Sequence, residues 1–196
     1  MTMTTNTNLT AQPVVFQKEV LQTGIFELRP IDPQTDLELV HQWVNLEYAV
    51  YWGMAGFSLE EVKTAYRNIL KHSKVYMGLF NSETAFLLEC YNPSEDLIGN
   101  YYTVDKGDKG MHILVAPAKI PIRNFTWNIF TVIMDFLFSH ADVERIVVEP
   151  DVRNDKIHLL NQKAGFEYQK IIELPHKTAH LAFCTREQYH NALQKS

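Results

Sequence analysis

The alternation of apolar and polar residues divides the N-terminal part of the chain into one strand and two helices. Residues 24–31 alternate with the period of two that is typical of a strand. Residues 36–48 carry apolar side chains at helical spacing, which predicts a first helix. Ser58 followed by Glu61 is a capping box and predicts a second helix over 58–71.

The middle of the chain has the pattern of an antiparallel meander. Asn81 and Ser82 separate two apolar runs, and this dipeptide position is typical of a hairpin turn. The predicted strands of the meander cover residues 75–80, 85–91, 97–104 and 111–115.

The C-terminal part reads as alternating strands and helices. An almost entirely apolar helix at 125–140 precedes a buried, β-branched strand at 145–149. A strand–helix–strand unit of this kind is expected to be parallel and right-handed. Asn154 offers a cap for the next helix, and Gly165 stands where a left-handed C-terminal cap belongs. Two final strands follow at 167–173 and 180–184.

Composition limits the classes of function. The 196 residues suffice for one domain with a substantial core, and the net charge of -5 argues against a broad nucleic-acid-binding face. Cys90 and Cys184 lie in apolar surroundings, which predicts packed free thiols. The histidines show no zinc-ligand spacing, so no metal is expected. Residues 1–13 predict a disordered tail before a single domain over 14–196, and the cytoplasm is the expected location because no apolar run could span a membrane.

Two polar residues stand where ligands bind to sheets of this kind. His112 follows two glycines and an aspartate, which predict a tight turn, so it should lie at the head of an apolar strand. Asp151 follows Pro150 at the carboxyl end of a parallel strand, the edge where open α/β sheets bind ligands. Taken alone, a histidine beside a strand is more often structural, and Asp151 serves equally well as the cap of the following turn. The residues by themselves leave both interpretations open.

Four strings carry a resemblance to a known family. GDKGMH at 107–112, EPDVRN at 149–154, KAGF at 163–166 and LPHKTAHLAF at 174–183 resemble the GNAT acyl-CoA transferases, in particular the branch that makes hydroxamates in siderophore biosynthesis. The resemblance covers residues 26–189. It implies an α/β fold with a single mixed sheet of about seven strands flanked by helices on both faces.

The same resemblance implies a reaction. The expected activity is transfer of an acyl group from acetyl-CoA or succinyl-CoA, a co-substrate rather than a permanently bound cofactor, to the N-hydroxyl amine of a lysine or diamine. His112 and Asp151 would form a pair that orients the hydroxylamine and takes its proton, with strand amides stabilising the oxyanion. Glu149 is expected to be structural or to support the residues that contact the substrate. The expected partners are these small molecules, without nucleic acid or membrane, for a monomer or homodimer.

The coenzyme site departs from the family pattern, because residues 116–128 contain none of the glycines that usually cradle the pyrophosphate. A helix N-terminus and several cations remain as possible phosphate partners. The residues expected to bind acyl-CoA are Leu114, Val115, Lys119, Arg123, Asn124, Phe125, Asn154 and Lys177.

Aromatic and acidic residues predict the acceptor site. Trp52 belongs to an aromatic cluster between the first two helices, and Glu89 and Tyr91 lie on an adjacent strand. A carboxylate suits an aliphatic ammonium, and aromatic walls suit its methylene chain. Two alternatives stay open: a GNAT enzyme that acetylates an ordinary amine, such as an aminoglycoside or polyamine, and a GNAT-fold binding protein without activity.

Overall fold

The computed structural model describes residues 12–117 and 121–195, and all structural statements concern these residues. The strands are β1 Phe16–Val20, β2 Gly24–Pro30, β3 Ser73–Phe80, β4 Glu83–Tyr91, β5 Asp108–Val115, β6 Arg145–Val148, β7 Glu167–Leu174 and β8 Lys177–Thr185. The α-helices are α1 Leu37–Val44, α2 Leu59–Ile69, α3 Phe125–Ser139, α4 Asp155–Lys163 and α5 Arg186–Leu193. The described strands form one mixed eight-stranded sheet in the order β1-β2-β3-β4-β5-β6-β8-β7.

Capping and turn signals, which depend on residues close together in the sequence, are present in the structure as predicted. The capping box of α2 has both of its hydrogen bonds, between Ser58 and Glu61. Asn81 and Ser82 both have positive φ, 48° and 67°, as the turn between β3 and β4 requires. The first helix is shorter than predicted, since α1 ends at Val44 and a 3₁₀ helix, Glu47–Trp52, follows it.

The strand–helix–strand prediction is confirmed. β5 and β6 are parallel, and α3 connects them. The side chain of Asn154 caps α4 by accepting from the N–H of Ile157, and Gly165 ends the helix with a φ of 91°. α5, which the pattern did not predict, begins with a second capping box formed by Thr185 and Gln188.

Two strand predictions were wrong. β1, which pairs with β2, was not predicted because its polar residues alternate on a half-exposed edge. Residues 97–104 do not form a strand: Leu97–Asn100 is a 3₁₀ helix, because Asp96 accepts from the N–H of Ile98 and starts a helical turn. The sheet therefore has eight strands where about seven were expected. It includes β1, which was not predicted, and contains no strand from residues 97–104.

The turn predicted at 107–110 is also wrong in its extent. β5 already begins at Asp108, so His112 lies in the middle of the strand rather than at its head. Gly110 is a strand residue over which the ring of Tyr91 packs, and a Cβ on this glycine would lie 2.2 Å from that ring. The glycine therefore permits a close aromatic contact and does not form a turn.

Helices cover both faces of the sheet. α3 packs one face with Ile129, Phe130 and Ile133, whereas α1 and α2 pack the other with residues that include Val40 and Tyr66. Cys90 and Cys184 are free and buried, as predicted, and burial raises the pKa of both thiols to about 12. Among the described residues no helix, the 15-residue α3 included, is long and apolar enough to cross a membrane.

Candidate active site

The sheet opens between β5 and β6. The two strands pair at only three positions, the last of which joins Gly110 to Val147. Beyond that point the chain after β6 stays with β8, as the N–H of His180 donates to Pro150 O and Asp151 bridges to Ala179. β5 stays with β4 as far as Val115. A wedge therefore separates the second half of β5 from residues 149–152.

A cavity of about 420 Å³ fills this wedge and reaches both faces of the sheet. Its wall on one face comes from the 3₁₀ helix before α2, from β4 and from the segment after β7. Its wall on the other face comes from α3 and α4. The lining residues that matter below are Trp52, Glu89, Tyr91, His112, Leu114, Phe130, Glu149, Asp151, Asn154, Ile157, Asn161 and Lys177.

His112 stands between two carboxylates at the centre of the wedge. Glu89 is its direct partner in the β4–β5 register, and Nδ1 of His112 lies 3.2 Å from Oε2 of Glu89. Glu149 lies two residues beyond the last β5–β6 pair, as His112 does, and Nε2 of His112 lies 2.7 Å from Oε1 of Glu149. Neighbouring strands thus align Glu89, His112 and Glu149 in one row across the sheet.

The two carboxylates favour the charged form of the histidine. Burial opposes this charge, but attraction and hydrogen bonding from Glu149 and Glu89 outweigh it and raise the pKa of His112 to about 10. For Glu149 burial again opposes the charge, and the interaction with His112 lowers its pKa to about 2. At neutral pH the histidine is therefore an imidazolium whose N–H groups donate to both glutamates, while 38% of its side-chain surface stays exposed to the cavity.

Glu149 accepts hydrogen bonds from three different side chains, one of which is His112. The hydroxyl of Tyr91 donates to its Oε2 at 2.8 Å, and Nζ of Lys177 lies 3.4 Å from its Oε1. Glu149 supports His112, as one of its two expected roles implied, and its carboxylate also borders the cavity itself. Strand alternation puts Glu149 on the same side as Asp151, but only the register with β5 shows which of them reaches the histidine.

The expected pair of His112 and Asp151 does not form. Asp151 accepts from the backbone N–H of Arg153 at 2.9 Å and binds its guanidinium at 2.8 and 2.7 Å. These bonds with Arg153 lower the pKa of Asp151 to about 2. The turn-capping interpretation of Asp151 therefore describes its contacts, although its side chain borders the same cavity as His112.

The open edge of β5 presents backbone groups to the wedge. The N–H of Ala116 donates to Ala85 O on β4, so alternation directs the amide of Leu114 towards β4 as well. The amides of Ile113 and Val115 point the other way, into the space that β6 has left. Of the two predicted backbone contacts with acyl-CoA, Val115 therefore faces the wedge, whereas Leu114 contributes its side chain to the cavity wall.

The start of α3 differs from expectation in its details. Phe125 packs its ring against Phe26 and Phe80, and its N–H already donates to Ile122 O. Asn124, at a φ of 58°, takes the left-handed conformation that a glycine would otherwise supply. Arg123 is exposed beside it, and Lys119 lies outside the described residues. Among the described residues the amides of Thr126 and Trp127 have no backbone partner and are available to an anion, because the helical bonds begin with Asn128 donating to Asn124 O.

Asn154 and Lys177 both border the cavity. Asn154 acts as the cap of α4, as predicted. Lys177, at the start of β8, contacts the carboxylate of Glu149. Its charge therefore lies beside the histidine–glutamate row.

The three residues predicted for the acceptor side come together. Trp52 lies edge-on to the His112 ring with centroids 6.3 Å apart, and Tyr91 packs against the same ring at 5.0 Å. Glu89 binds the histidine directly. Tyr66, which the sequence analysis did not single out, lies next to Glu89 and Trp52. Its only signal was an apolar position on α2, which predicts core packing.

The comparisons with known proteins agree with this geometry. The chain belongs to the acetyltransferase (GNAT) domain family, whose profile matches residues 32–174. It is 26% identical over 182 residues to an N-hydroxyputrescine acetyltransferase of Acinetobacter baumannii, covering 92% of this chain and 86% of that one. It is 27% identical to an N(6)-hydroxylysine O-acetyltransferase of Escherichia coli over 84% of this chain, and the match spans 53%, about half, of that longer protein.

Solved structures support the same fold. An uncharacterized protein from Bacillus halodurans superposes with a TM-score of 0.84 and 26% identity, covering 92% of this chain and 94% of that one. An aminoglycoside acetyltransferase, AAC(6')-Ib, solved with paromomycin and acetyl-CoA, gives a TM-score of 0.74 at 24% identity over 84% and 96% of the two chains. The second likeness is one of fold alone. The chain is therefore an acyltransferase of the GNAT class, with acyl-CoA as its co-substrate.

Proposed function

We propose that this protein transfers an acyl group from acyl-CoA to the N-hydroxyl amine of an N-hydroxylated diamine or lysine and so forms a hydroxamate for a siderophore, an iron-acquiring molecule. The observation that carries this proposal is the cavity between β5 and β6, with the row of Glu89, His112 and Glu149 at its centre. The names of the two relatives support the choice of acceptor. The reaction belongs to the cytoplasm, where acyl-CoA is available.

The acyl donor enters the wedge from the α3 and α4 side. The inward-facing amides of Ile113 and Val115 suit a chain of amides and a thioester carbonyl, because they lack strand partners on that side. The first turn of α3 suits the pyrophosphate, with Arg123 beside it and Asn154 near the pantetheine arm. Acetyl-CoA and succinyl-CoA are the proposed donors.

The acceptor enters from the opposite face, where Trp52, Tyr91 and Glu89 form the wall. The nitrogen of the hydroxylamine attacks the thioester carbon, forming the C–N bond as the C–S bond breaks and the thiol leaves. His112, held as an imidazolium, orients the acceptor and stabilises the two carboxylates. Glu149, ionised at neutral pH, takes the proton from the attacking nitrogen and passes it on to the sulfur, which leaves as the thiol.

A thiol-release assay tests the reaction class. Acetyl-CoA and succinyl-CoA are each offered with N-hydroxycadaverine, N-hydroxyputrescine, N-hydroxylysine and the unhydroxylated parents. Release that requires the N-hydroxyl group is expected, and equal rates with the parent amines would instead assign the protein to the ordinary amine acetyltransferases. The absence of release with every pair, together with no acyl-CoA binding by calorimetry, would identify a binding protein.

The role of Lys177 gives a test of donor choice. Its ammonium lies 3.4 Å from Glu149, close enough to the reacting centre to meet the free carboxylate of a succinyl group. Lys177→Met is expected to lower kcat/KM for succinyl-CoA about tenfold more than for acetyl-CoA, in line with the loss of one charge-assisted contact. Lys170→Met, exposed on β7 and outside the cavity lining, is the matched control. An unchanged donor ratio would remove Lys177 from the donor site.

A further inference from the structure

Three buried polar atoms lie on the acceptor side of the site, and the reaction proposed above uses none of them. They are Nε1 of Trp52, the hydroxyl of Tyr66 and Oε1 of Glu89, and none of them has a partner in hydrogen-bonding geometry within the described part of the chain. In folded proteins the great majority of buried polar atoms form hydrogen bonds, and a buried polar atom without one lowers the stability of the fold. Three such atoms from neighbouring residues indicate hydrogen bonds that are completed in another state of the site, since catalytic hydrogen bonds often tighten only when substrate is bound.

Tyr66 is placed to join the other two. It lies on α2, is fully buried, and packs on the face of β3 and β4 to which Glu89 points. Its hydroxyl lies near both the carboxylate of Glu89 and the indole of Trp52, without hydrogen-bonding geometry to either in this state. Burial, together with the charge of Glu89, raises the pKa of Tyr66 well above its ordinary value, so the hydroxyl keeps its proton and remains a donor.

The chemistry of the three groups allows one order of hydrogen bonds. The indole N–H of Trp52 can only donate, the ionised carboxylate of Glu89 can only accept, and the hydroxyl of Tyr66 does both. The bonds therefore run from Trp52 to Tyr66 and from Tyr66 to Glu89. Because the other oxygen of Glu89 accepts from His112, the series links the 3₁₀ helix at the acceptor side to the histidine.

We propose that Tyr66 is a positioning residue for the acyl transfer: its hydroxyl holds Glu89 in place against His112 and accepts from Trp52 when the acceptor is seated. This inference rests on the proposed function. The inference extends that function, because binding of the acceptor would then affect the orientation and charge of His112. Trp52 lies edge-on to His112, so an acceptor bound beside the histidine contacts the indole as well.

The electrostatic consequence concerns His112. A donor on Oε1 holds the Glu89 carboxylate against His112, where its hydrogen bond and charge raise the pKa of the histidine. Without the hydroxyl, this carboxylate loses its fixed orientation, and the pKa of His112 should fall towards its ordinary value. Other charged or titratable groups also face the histidine or its carboxylates and stay unchanged in the test: Tyr91, Glu149 and Lys177, with the Asp151–Arg153 pair bordering the same cavity.

The test compares Tyr66→Phe with Tyr189→Phe. Tyr189 is equally buried, and its hydroxyl also donates to a carboxylate, that of Asp135 at 3.0 Å, on α3. Tyr66→Phe is expected to lower kcat with the hydroxylated acceptor about tenfold to a hundredfold, as the loss of a hydrogen bond to a charged group implies, while KM for acyl-CoA stays unchanged. Tyr189→Phe should keep its kcat.

A second readout does not require activity. NMR titration of the histidine rings with the hydroxylated acceptor bound and acyl-CoA left out, with the His112 signal identified by its absence in His112→Gln, should show a lower midpoint for His112 in Tyr66→Phe than in the wild type or in Tyr189→Phe. An unchanged His112 midpoint in folded Tyr66→Phe would overturn the proposal, whatever the assay shows. Should that variant fail to fold, Trp52→Phe serves instead, with a smaller shift in the same direction expected and no shift contradicting the proposal.

Discussion

An ion pair joins β5 to the β6 segment at each end of their parallel pairing. The two pairs differ in their number of hydrogen bonds and in how far they are shielded from solvent. Where the strands run together, Asp108 and Arg145 face each other in register and form two hydrogen bonds of 2.7 and 2.8 Å. Where the strands separate, His112 and Glu149 form one bond of 2.7 Å. The side chain of Asp108 is fully buried, whereas 38% of the His112 side chain is exposed.

The surroundings of the two pairs explain the difference. Tyr102 donates to Asp108, and the guanidinium of Arg145 lies over the ring of Phe183 at 4.5 Å, so both charges are covered. At the other end a cavity adjoins the pair, and Oε1 of Glu89 is left without a partner. The Asp108–Arg145 pair, where the strands stay paired, is therefore buried and stabilises the fold. The His112–Glu149 pair, where the strands separate, leaves a charged group accessible from the cavity.

Removal of His112 should have the largest effect on activity. His112→Ala leaves two carboxylates without their shared cation, and kcat is expected to fall about 10²- to 10⁴-fold, the range of general acid–base catalysis. Single-turnover thiol release with a hydroxylated acceptor measures the loss. His72→Ala, an exposed histidine outside the cavity lining, is the control. Full activity in His112→Ala would contradict the assigned role.

The choice of partner for His112 is tested next. Glu149→Gln is expected to lower kcat about 10²-fold and to add little to His112→Ala, because groups that act as a unit are not additive. Asp151→Asn, whose carboxylate binds Arg153, should cost less and combine additively with His112→Ala. The opposite pattern in the double mutants would restore Asp151 as the partner.

The buried pair of Asp108 and Arg145 should contribute to the stability of the fold rather than to activity. Arg145→Ala leaves the buried Asp108 without its cation, and the free energy of unfolding is expected to fall by about 3 kcal/mol. Urea denaturation measures this loss, and kcat per folded molecule should stay within about twofold of the wild type, since the change leaves the cavity lining intact. Lys63→Ala, which breaks an exposed pair with Glu60, is the control and should change the urea midpoint much less. A comparable loss of unfolding free energy in Arg145→Ala and Lys63→Ala would contradict the prediction that the buried pair contributes more than the exposed one.

The pH dependence of stability gives the smallest effect. The pKa of Glu149 is lowered, so its contribution is complete above about 4.5 and is lost as the pH falls towards 2. The pKa of His112 is raised, so its contribution is complete below about 6.5 and is lost as the pH rises towards 10. The stability difference between the wild type and His112→Gln should therefore be greatest between pH 4.5 and 6.5. A difference independent of pH in urea titrations would contradict the charged pair.

Elements with short-range causes were predictable from the sequence. The capping box of Ser58 and Glu61, the turn at Asn81 and the cap at Asn154 depend on residues two to four positions apart, and all three are present. β1 was missed because an edge strand with one packed face shows little apolar patterning. Gly110 was misassigned because the ring that covers it belongs to Tyr91, on another strand.

The candidate site was predictable in its members but not in its connections. Trp52, Glu89, Tyr91 and His112 were singled out by residue type and resemblance, and they meet around one ring. Glu149 was undervalued, and Tyr66 was not considered, because neither residue carries a local signal for its contacts. A buried tyrosine on an amphipathic helix is indistinguishable in sequence from any other core residue.

The sequence by itself determined most strands and helices, though not β1 or α5, and the residue types gathered at the open edge of β5, because caps, turns and periodicity act over a few residues. Only the tertiary structure decided that β6 leaves β5 after Val147 and that Glu149, not Asp151, reaches His112. The reason is register: two carboxylates two residues apart on one strand differ only in which residue of the neighbouring strand they face. That relation is set by the packing of the whole sheet.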